Sequence, residues 1–529
     1  MATTKRRSAR SLRCPLGLLL TVAATLAACT VGPDFRPPDA HAPAGWHDLQ
    51  RDDKAATAGA ARHESPVVVD ADPDPRWWHG FQDPMLDRLI ERARAGNLDL
   101  QQAVLRIAEA RIQVQSTAAQ GLPNLRASAR YQREQLGLKG LLQENGIYDD
   151  ADRLAQPGSP IDKISPGAGA AAGNGLKNAL NNLSSPINLW QAGFDASWEL
   201  DFFGRVRRSV ESAQAQVQAA GESRNDALLS LEAEVAQTYL QLRGAQAGYD
   251  LAKQLVDDAQ QTLRLTQSQA SVGLASALDV KQAAAQVAET EAQLPPYDGQ
   301  IVQAENGLAL LVGAPPGSLD AELERHEAVP PVPPSVSIGL PATLARRRPD
   351  IRQAEAQLHA ATANVGVAVA QFFPDISLTG QIGTRAQYSS DLARWSHLFY
   401  SFGPAISLPI FSGGTLRANL RLSNAREAEA ALNYRKTVLV ALRDVDNALA
   451  VYRSDLAHRD ALGRSVDADQ SAFDLARERY AKGFSTFIQV LDAQTRLAQA
   501  KQQYVQATTQ VATDLVALYK ALGGGWQQT

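Results

Sequence analysis

Alternation of apolar and polar residues marks four short segments of the chain as β-strands. Between Trp190 and Phe202 the even-numbered positions are apolar or small, and most odd-numbered positions are polar. A period of two places successive side chains on opposite faces of a sheet. The sequence therefore predicts strands at about residues 123–133, 188–202, 374–384 and 398–410. Such strands fit a half-buried soluble sheet and also the wall of a membrane β-barrel.

Two other regions have the spacing of very long helices. Gly204 and Gly273 are 69 residues apart, as are Gly414 and Gly483, and the residues between them are mostly Ala, Gln, Leu, Val, Glu and Arg. At ~1.5 Å per residue each helix would reach roughly 100 Å. This length favours a coiled-coil arrangement over a compact domain, with a break where each helix turns back.

The strands and helices occur in two copies of one unit. Pro123 and Pro374 hold equivalent places 251 residues apart, whereas Gly273 and Gly483 are 210 residues apart. The difference assigns 41 extra residues to the first copy, between its two strands. This stretch, at about residues 136–186, is rich in Gly, Pro, Ala and Asn, which predicts a long loop. It joins the strands at the end away from the helices, so we expect it to face the cell exterior.

The N-terminus has the features of a bacterial lipoprotein signal. Basic residues precede an apolar run that is too short for a permanent membrane span and ends Leu26-Ala27-Ala28-Cys29. Cys29 is therefore the predicted lipidation site and the first mature residue. The other cysteine, Cys14, lies in the removed segment, so the mature chain cannot form an internal disulfide. Thr30, rather than an aspartate, after the cysteine favours retention at the outer membrane.

Charge and motifs exclude several classes of protein. The 529 residues carry a formal net charge of −4, which gives no basic footprint for nucleic acid. The eight histidines are scattered without metal-ligand spacing. No nucleotide-binding or hydrolase motif occurs in a supporting context. We therefore expect no enzyme activity, no metal site and no cofactor apart from the covalent lipid on Cys29.

Four strands in each chain have a consequence for assembly. Single-chain membrane barrels begin at about eight strands, and an open sheet edge in lipid is very costly. If the strands lie in a membrane, several chains must share one barrel. Two copies would leave a lumen filled by side chains, so a duct favours three or more.

Long stretches of the chain resemble the TolC-type outer-membrane factors, and most closely the lipoprotein, NodT-like branch that serves resistance-nodulation-division efflux pumps. They include "WWHGFQDPMLDRLIERARAGNLDLQQA", "FDASWELDFFGRVRRSVESA", "RRRPDIRQAEAQLHAATANVGVAVAQFFPDISLTG" and "LPIFSGGTLRANL". The likeness covers nearly all of the mature chain in collinear order.

This resemblance implies a mainly α-helical membrane protein with mixed α and β structure. Three chains would share a 12-stranded β-barrel in the outer-membrane lipid and a long α-helical barrel in the periplasm. The duct would be passive, docked by a periplasmic adaptor and an inner-membrane pump. The implied division is a signal peptide (1–28), an N-terminal tether and equatorial segment (29–85), a first repeat (86–314), a proline-rich equatorial linker (315–343), a second repeat (344–522) and a C-terminal tail (523–529).

The resemblance also assigns residues to sites. The family's Val-Gly-Leu adaptor contact matches Val272, Gly273 and Leu274 at the first helix turn, near residue 273. At the second turn, near residue 483, the glycine alone matches in Lys482-Gly483-Phe484.

Four residues apart on the following helix, Ile488 and Asp492 match the apolar and acidic rings that constrict the closed pore of that family. A pore-free periplasmic adaptor is the alternative, but adaptors usually contain one helical hairpin, not a duplicated unit.

Overall fold

The computed structural model describes residues 30–50, 67–68, 71, 73–135 and 137–526. The predicted signal peptide, Cys29 and residues 527–529 lie outside this part of the chain. The described residues fall into two compact units. Unit 1 contains Ser116–Arg208 and Gly366–Asn419 together with residues 30–32, and unit 2 contains the remainder.

The strands have the two periodic faces that the sequence predicts. They are, in chain order, β1 (Val67–Val68), β2 (Asn124–Glu134), β3 (Ile187–Glu199), β4 (Val336–Ser337), β5 (Asp375–Ala386) and β6 (Leu398–Ser407). In unit 1, β2, β3, β5 and β6 form an antiparallel sheet in the order β2-β3-β5-β6. In unit 2, β1 and β4 form a short parallel pair.

Two of the strands end before the positions predicted from alternation. β3 stops at Glu199 because Asp201 leaves the ladder and caps the following helix, accepting the backbone N–H groups of Val206 and Arg207 at 3.1 and 2.9 Å. β6 stops at Ser407, two residues before Pro409, which has no N–H to donate to a ladder.

The helices repeat in length between the two halves of the chain. They are α1 (Pro84–Gly96), α2 (Leu98–Ala119), α3 (Leu138–Glu144), α4 (Ile147–Ala155), α5 (Ala168–Ser184), α6 (Arg205–Ser271), α7 (Ala277–Glu291), α8 (Leu294–Leu311), α9 (Asp320–Leu323), α10 (Pro341–Arg347), α11 (Pro349–Ala370), α12 (Thr415–Ala481) and α13 (Phe487–Ala521). The counterparts α2 and α11 both have 22 residues, and α6 and α12 both have 67. The single helix α13 corresponds to α7 and α8, which separate just before Pro295 and Pro296 because proline starts a helix better than it continues one.

Within the described residues, no helix is both long enough and apolar enough to cross a membrane.

The long loop predicted at residues 136–186 joins β2 to β3, and it contains the three helices α3, α4 and α5, which its composition did not predict. Alanine and leucine favour helix, and glycines Gly137, Gly146 and Gly167 stand at the starts of these helices with φ of +66°, +72° and +87°. Three of the glycines therefore mark the starts of helices, while four others lie inside α3 and α5. Asp162 holds the connection after α4 by accepting backbone N–H groups, Gly167 among them at 2.8 Å. Hydrogen bonds from Gly158, Gly169 and Gly167 lower the pKa of this carboxyl.

The main core of unit 2 is built around buried tryptophans and one buried ion pair. Trp77 and Trp78 are almost fully buried among the helices. The Arg94 guanidinium donates to the Glu232 carboxylate at 2.8 Å and to the carbonyl oxygen of Gly525 at 3.0 Å, so it ties the C-terminal segment to the core. Burial raises the pKa of Glu232 to about 8, against the opposing effect of Arg94.

Glycines let the long helices of unit 2 approach closely. A Cβ placed on Gly244 of α6 would lie 2.4 Å from Oγ1 and 2.6 Å from Cγ2 of Thr509 on α13. Thr509 is β-branched and has few alternative rotamers in a helix, so the neighbouring helix would have to move. Gly221 on the same helix has no such neighbour within 4 Å of its hypothetical Cβ.

We therefore predict opposite effects for two identical substitutions on α6. Gly244→Ala should lower stability by about 1–3 kcal/mol through overpacking. Gly221→Ala should raise stability by about 0.5–1 kcal/mol, because alanine restricts the unfolded chain and favours helix. Thermal unfolding in detergent, followed by circular dichroism at the helix band, measures both. Equal shifts of the two variants would contradict the close approach of α6 and α13.

Candidate functional site

Both long helices end in the same glycine turn, at the positions that the sequence predicts. After α6, the N–H of Leu274 donates to the carbonyl of Gln269 at 2.8 Å, and the N–H of Gly273 donates to that of Ala270 at 3.1 Å. After α12, Phe484 and Gly483 make the equivalent bonds, both at 2.9 Å. These pairs define a Schellman motif, which needs a left-handed residue. The φ angles of Gly273 and Gly483 are +81° and +77°.

The side chains at these turns are exposed to solvent in the single chain. The apolar residue after the glycine of a Schellman motif commonly packs on its own helix. Here Leu274 is 69% exposed and Phe484 is 72% exposed. Val272 is also exposed, and Lys482 is held by Glu478, four residues earlier, at 2.5 Å. The two turns thus present apolar side chains that nothing in the described chain covers.

The two turns are in contact with each other, but the helices that follow them are capped differently. The Gln269 side-chain amide donates to the carbonyl oxygen of Ala481 at 3.2 Å, which joins the end of α6 to the end of α12. Ser276 begins α7 with a capping box, in which its side chain and that of Asp279 bond each other's backbone N–H. Thr486 occupies the same place before α13 and makes no side-chain cap hydrogen bond. The second turn therefore lacks the side-chain capping hydrogen bonds that the first turn has.

The structure places Ile488 and Asp492 together on the exposed face of α13. Ile488 is 57% exposed and the Asp492 side chain is 62% exposed. The opposite face carries Phe487 and Val490, which are buried in a small apolar cluster below the turns. The four-residue spacing that predicted a shared face is thus present in the helix.

Arg496 is a residue of this face that the sequence reasoning did not single out. Its guanidinium lies 3.1 Å from an Asp492 carboxylate oxygen, in an i, i+4 ion pair. The spacing in "DAQTR" could have revealed it, since acidic and basic residues four apart meet on a helix. The exposed face therefore presents a paired acid and base rather than an isolated carboxylate.

The first copy lacks this ion pair. At the offset of 210 residues, Leu278, Gln282 and Gln286 of α7 stand where Ile488, Asp492 and Arg496 stand on α13. Leu278 is exposed like Ile488, so the apolar position is kept in both copies and the charged pair in one.

The sheet of unit 1 has a continuous apolar face. Across it the register pairs residues of the same kind: Phe194 with Ile382, Trp198 with Leu378, and Tyr131 with Trp190. Phe402 and Ile406 on β6 continue this face and are 82% and 70% exposed. An exposed apolar surface of this extent is unusual for a soluble monomer and indicates contact with lipid or protein. β2 and β6 are the outer strands of the sheet, each paired on one side.

Residues 30–32 lie against the junction of β3 and α6, although Cys29 itself lies outside the described residues. The N–H of Val31 donates to the carbonyl oxygen of Phe203 at 3.2 Å. A Cβ on Gly204 would come within 2.6 Å of Thr30, and Gly204 has a φ of +82°. The chain that follows Cys29 is thus fixed to the sheet unit.

A polar groove of about 820 Å³ lies in unit 2 between α6, the α7–α8 region and α13. Its lining consists mainly of glutamines, with threonines and small residues, and Tyr297 is the sole titratable side chain in it. Within the described residues, no group of three His, Cys, Asp or Glu side chains is arranged to hold a metal ion.

The glycine turns generate a prediction. Gly483→Ala should cost about 1–2 kcal/mol at the second turn, because alanine must adopt a left-handed conformation. Nothing lies within 4 Å of the added Cβ, so the effect is on the backbone alone. Amide hydrogen exchange at residues 482–484 should accelerate by about 5- to 30-fold. Gly483→Asn is the matched control. Its amides should exchange more slowly than those of the alanine variant, because asparagine tolerates the left-handed conformation. Equal exchange rates in the two variants would argue against a required left-handed residue at this turn.

Comparison with known proteins agrees with this geometry. The family model described as "Outer membrane efflux protein" matches residues 89–314 and 340–524. The chain is 33% identical over 511 residues to the probable efflux pump outer membrane protein SepC of Pseudomonas putida, covering 97% of this chain and 96% of that protein. It is 30% identical over 502 residues to nodulation protein T of Rhizobium leguminosarum bv. viciae, covering 95% and 92%.

Among solved structures, the outer-membrane channel OprN superposes with a TM-score of 0.78 at 32% identity, covering 94% of this chain and all of that chain. The fold class predicted from the sequence, mainly helical with a four-stranded contribution to a β-barrel from each chain, is confirmed. The matched family segments span more than half of the 529 residues, and they include both repeats. The chain belongs to the outer membrane efflux protein family.

Proposed function

We propose that three copies of this chain form a passive exit duct through the outer membrane of a Gram-negative bacterium. The observation that carries the proposal is the four-stranded sheet with one apolar face, one polar face and two unpaired edges. Peptide groups at an open edge cannot remain unpaired in lipid. Pairing β6 of each copy with β2 of the next closes the sheet. Three copies give twelve strands, with the apolar face toward lipid and the polar face toward the lumen.

The tip turns are the proposed contact with a periplasmic adaptor. Val272 and Leu274 at the first turn and Phe484 at the second are exposed apolar side chains at fixed positions next to left-handed glycines. Gly273 and Gly483 keep the backbone accessible, and Lys482 adds a charge beside the second turn. An inner-membrane pump of the resistance-nodulation-division class would supply the energy. The duct itself has no catalytic role in this scheme and needs no cofactor.

The proposed constriction of the closed duct is the exposed face of α13. Around a threefold axis, three Ile488 side chains would form an apolar ring that resists wetting, and three Asp492 carboxylates would form an acidic ring. The Arg496 partner at 3.1 Å reduces the field of each carboxylate. Because exposed ion pairs contribute little stability, the pair can separate when the mouth opens. Movement of α12 and α13 at the less firmly capped second turn would widen the mouth.

Small toxic compounds or drugs are the proposed cargo. The protein similar to this chain in Pseudomonas putida is named an efflux pump component, and other relatives are named for export of toluene and pyoverdine. Export of such different compounds by related proteins fits a passive duct whose cargo is selected by the pump.

Single-channel recording of the purified protein in a planar bilayer tests the duct and its constriction. Asp492→Ala should raise conductance and lower cation preference, whereas Arg496→Ala should raise cation preference. Each change in the permeability ratio should be about fivefold, the factor that corresponds to about 1 kcal/mol. Ile488→Ala should add to the conductance increase of Asp492→Ala.

The recordings separate two kinds of failure. If the purified protein forms no channel, the duct itself is wrong. If it forms a channel but none of the three substitutions changes its conductance or selectivity, the constriction lies elsewhere in the duct.

The lipid anchor is a separate part of the proposal. Leu26-Ala27-Ala28-Cys29 supports processing at Cys29, and residues 30–32 are fixed to the sheet unit, so an acyl chain on Cys29 would lie close to the barrel. Labelled palmitate should be incorporated by the wild type and by Cys14→Ala, but not by Cys29→Ala. The Cys29→Ala protein should still reach the membrane, since its strands provide separate affinity. Palmitate incorporation into Cys29→Ala would refute the anchor.

A further inference from the structure

The polar face of the sheet carries three arginines, in two rows of polar residues on either side of a row of small residues. From β2 to β5 the outer rows are Arg126–Asp195–Gln381 and Arg130–Gln191–Arg385. The row between them is Ser128–Gly193–Gly383, and it continues to Phe399 on β6. Arg126 and Arg130 are four residues apart on one strand, which corresponds to about 13 Å. All three arginine side chains are exposed.

The one carboxylate in this band, Asp195, attracts Arg126 and Arg130 through space but makes no direct ion pair with them. The two oxygens of Asp195 accept hydrogen bonds from neutral side chains, from Ser128 Oγ at 2.8 Å and from Gln381 Nε2 at 2.6 Å. In the described part of the chain, no carboxylate lies within 4 Å of the guanidinium of Arg126 or Arg130, and none within that distance of Arg385. The band therefore has three positive charges against one negative charge in each copy.

Carboxylates on the same face lie beyond the band. Glu134 is four residues, or about 13 Å, further along β2 from Arg130. Glu199 on β3 and Asp375 on β5 lie at the other end of the sheet. The Nε of Arg205 donates to Glu199 at 2.9 Å. The acidic groups are thus separated from the arginine rows, and one of them is already paired.

The middle row forms a shallow floor between the arginines. A Cβ on Gly193 would lie 2.5 Å from the carbonyl oxygen of Ile382, so this strand pair leaves no room for a side chain. The Phe399 ring borders the floor, and the guanidinium of Arg385 stands over this ring at 5.1 Å from its centroid. Arg385 also donates to Gln191 Oε1 at 3.1 Å, which fixes its direction. An arginine held over an aromatic ring offers both a positive charge and a stacking surface.

We propose that this arginine band, Arg126, Arg130 and Arg385, is a binding site in the duct for organic anions, and for aromatic anions above all. The inference rests on the proposed duct, in which the polar face lines the lumen. Three copies would place nine arginines and three aspartates around one ring of the barrel. The acidic group of a cargo molecule would pair with the guanidinium groups, and its aromatic part would lie on the floor beside Phe399.

Block of single channels by an aromatic anion tests the site. Pyranine, an aromatic trisulfonate, is added to each side of the bilayer in turn at 0.1 M salt. It should reduce the wild-type current from the side that reaches the barrel. The block should weaken strongly at 1 M salt, because the screening length falls from about 10 Å to about 3 Å. The triple variant Arg126→Gln, Arg130→Gln, Arg385→Gln should require at least about tenfold more pyranine, equivalent to 1.4 kcal/mol.

Arg133→Gln is the matched control, because Arg133 lies on β2 at the alternate position, on the opposite face of the sheet. It should be blocked like the wild type. If the triple variant does not assemble, the single variants Arg130→Gln and Arg385→Gln provide the same comparison with smaller shifts. If the arginine variants conduct and pyranine blocks them as strongly as it blocks the wild type, the proposed anion site is wrong, but the proposed duct is unaffected. Loss of block in Arg133→Gln as well would show that surface charge alone attracts the probe.

Discussion

The peptide groups along the outer edges of β2 and β6 set the main constraint on this protein. The register pairs each of these strands on one side and leaves the other side without a partner among the described residues. Water could satisfy those groups, but the same sheet exposes Phe194, Ile382 and Phe402 on one face. An apolar face belongs in lipid, where an unpaired N–H or carbonyl costs several kcal/mol. The edges and the apolar face together are the reason for the proposed assembly of several copies around one barrel.

The second constraint is that each long helix must end at a defined residue. A helix of 67 residues ends only where the sequence stops it. Both α6 and α12 end at the same left-handed glycine turn. The two copies then diverge in how the next helix begins. A capping box holds α7, and no side-chain cap holds α13. The duplicated unit thus has one turn with a capping box and one without, and the turn without it leads into the helix that carries Asp492.

Charges are arranged differently in the two units. On α13 the carboxylate of Asp492 has its counter-ion one helical turn away, so the exposed face is nearly neutral overall. In the sheet, the carboxylate of Asp195 is occupied by neutral donors and the neighbouring arginines keep their charge. Exposed pairs gain little from each other in water. Where arginines remain unpaired on the polar face, their field is available to molecules that pass over it.

The sequence by itself determined the elements whose pattern is local. Alternation around Phe194 and Ile382 predicts strands, and the equal spacing of Gly204–Gly273 and Gly414–Gly483 predicts two equivalent helices with a turn. These patterns are readable because a side chain's face depends on its neighbours a few residues away. Composition is less informative than such patterns: residues 136–186 are rich in glycine and suggested a loop, yet they contain three helices, with glycines both at the helix starts and inside the helices.

Only the tertiary structure decided the contacts between distant residues. It brought Arg94, Glu232 and Gly525 together across more than 400 residues of chain, and it placed Thr509 where Gly244 leaves room for it. It also set the register that aligns Arg130 with Gln191 and Arg385, residues from three separate strands. No periodicity encodes such partners, because strand register and helix packing are properties of the assembled chain. A shift of one residue would turn every arginine of the band to the other face.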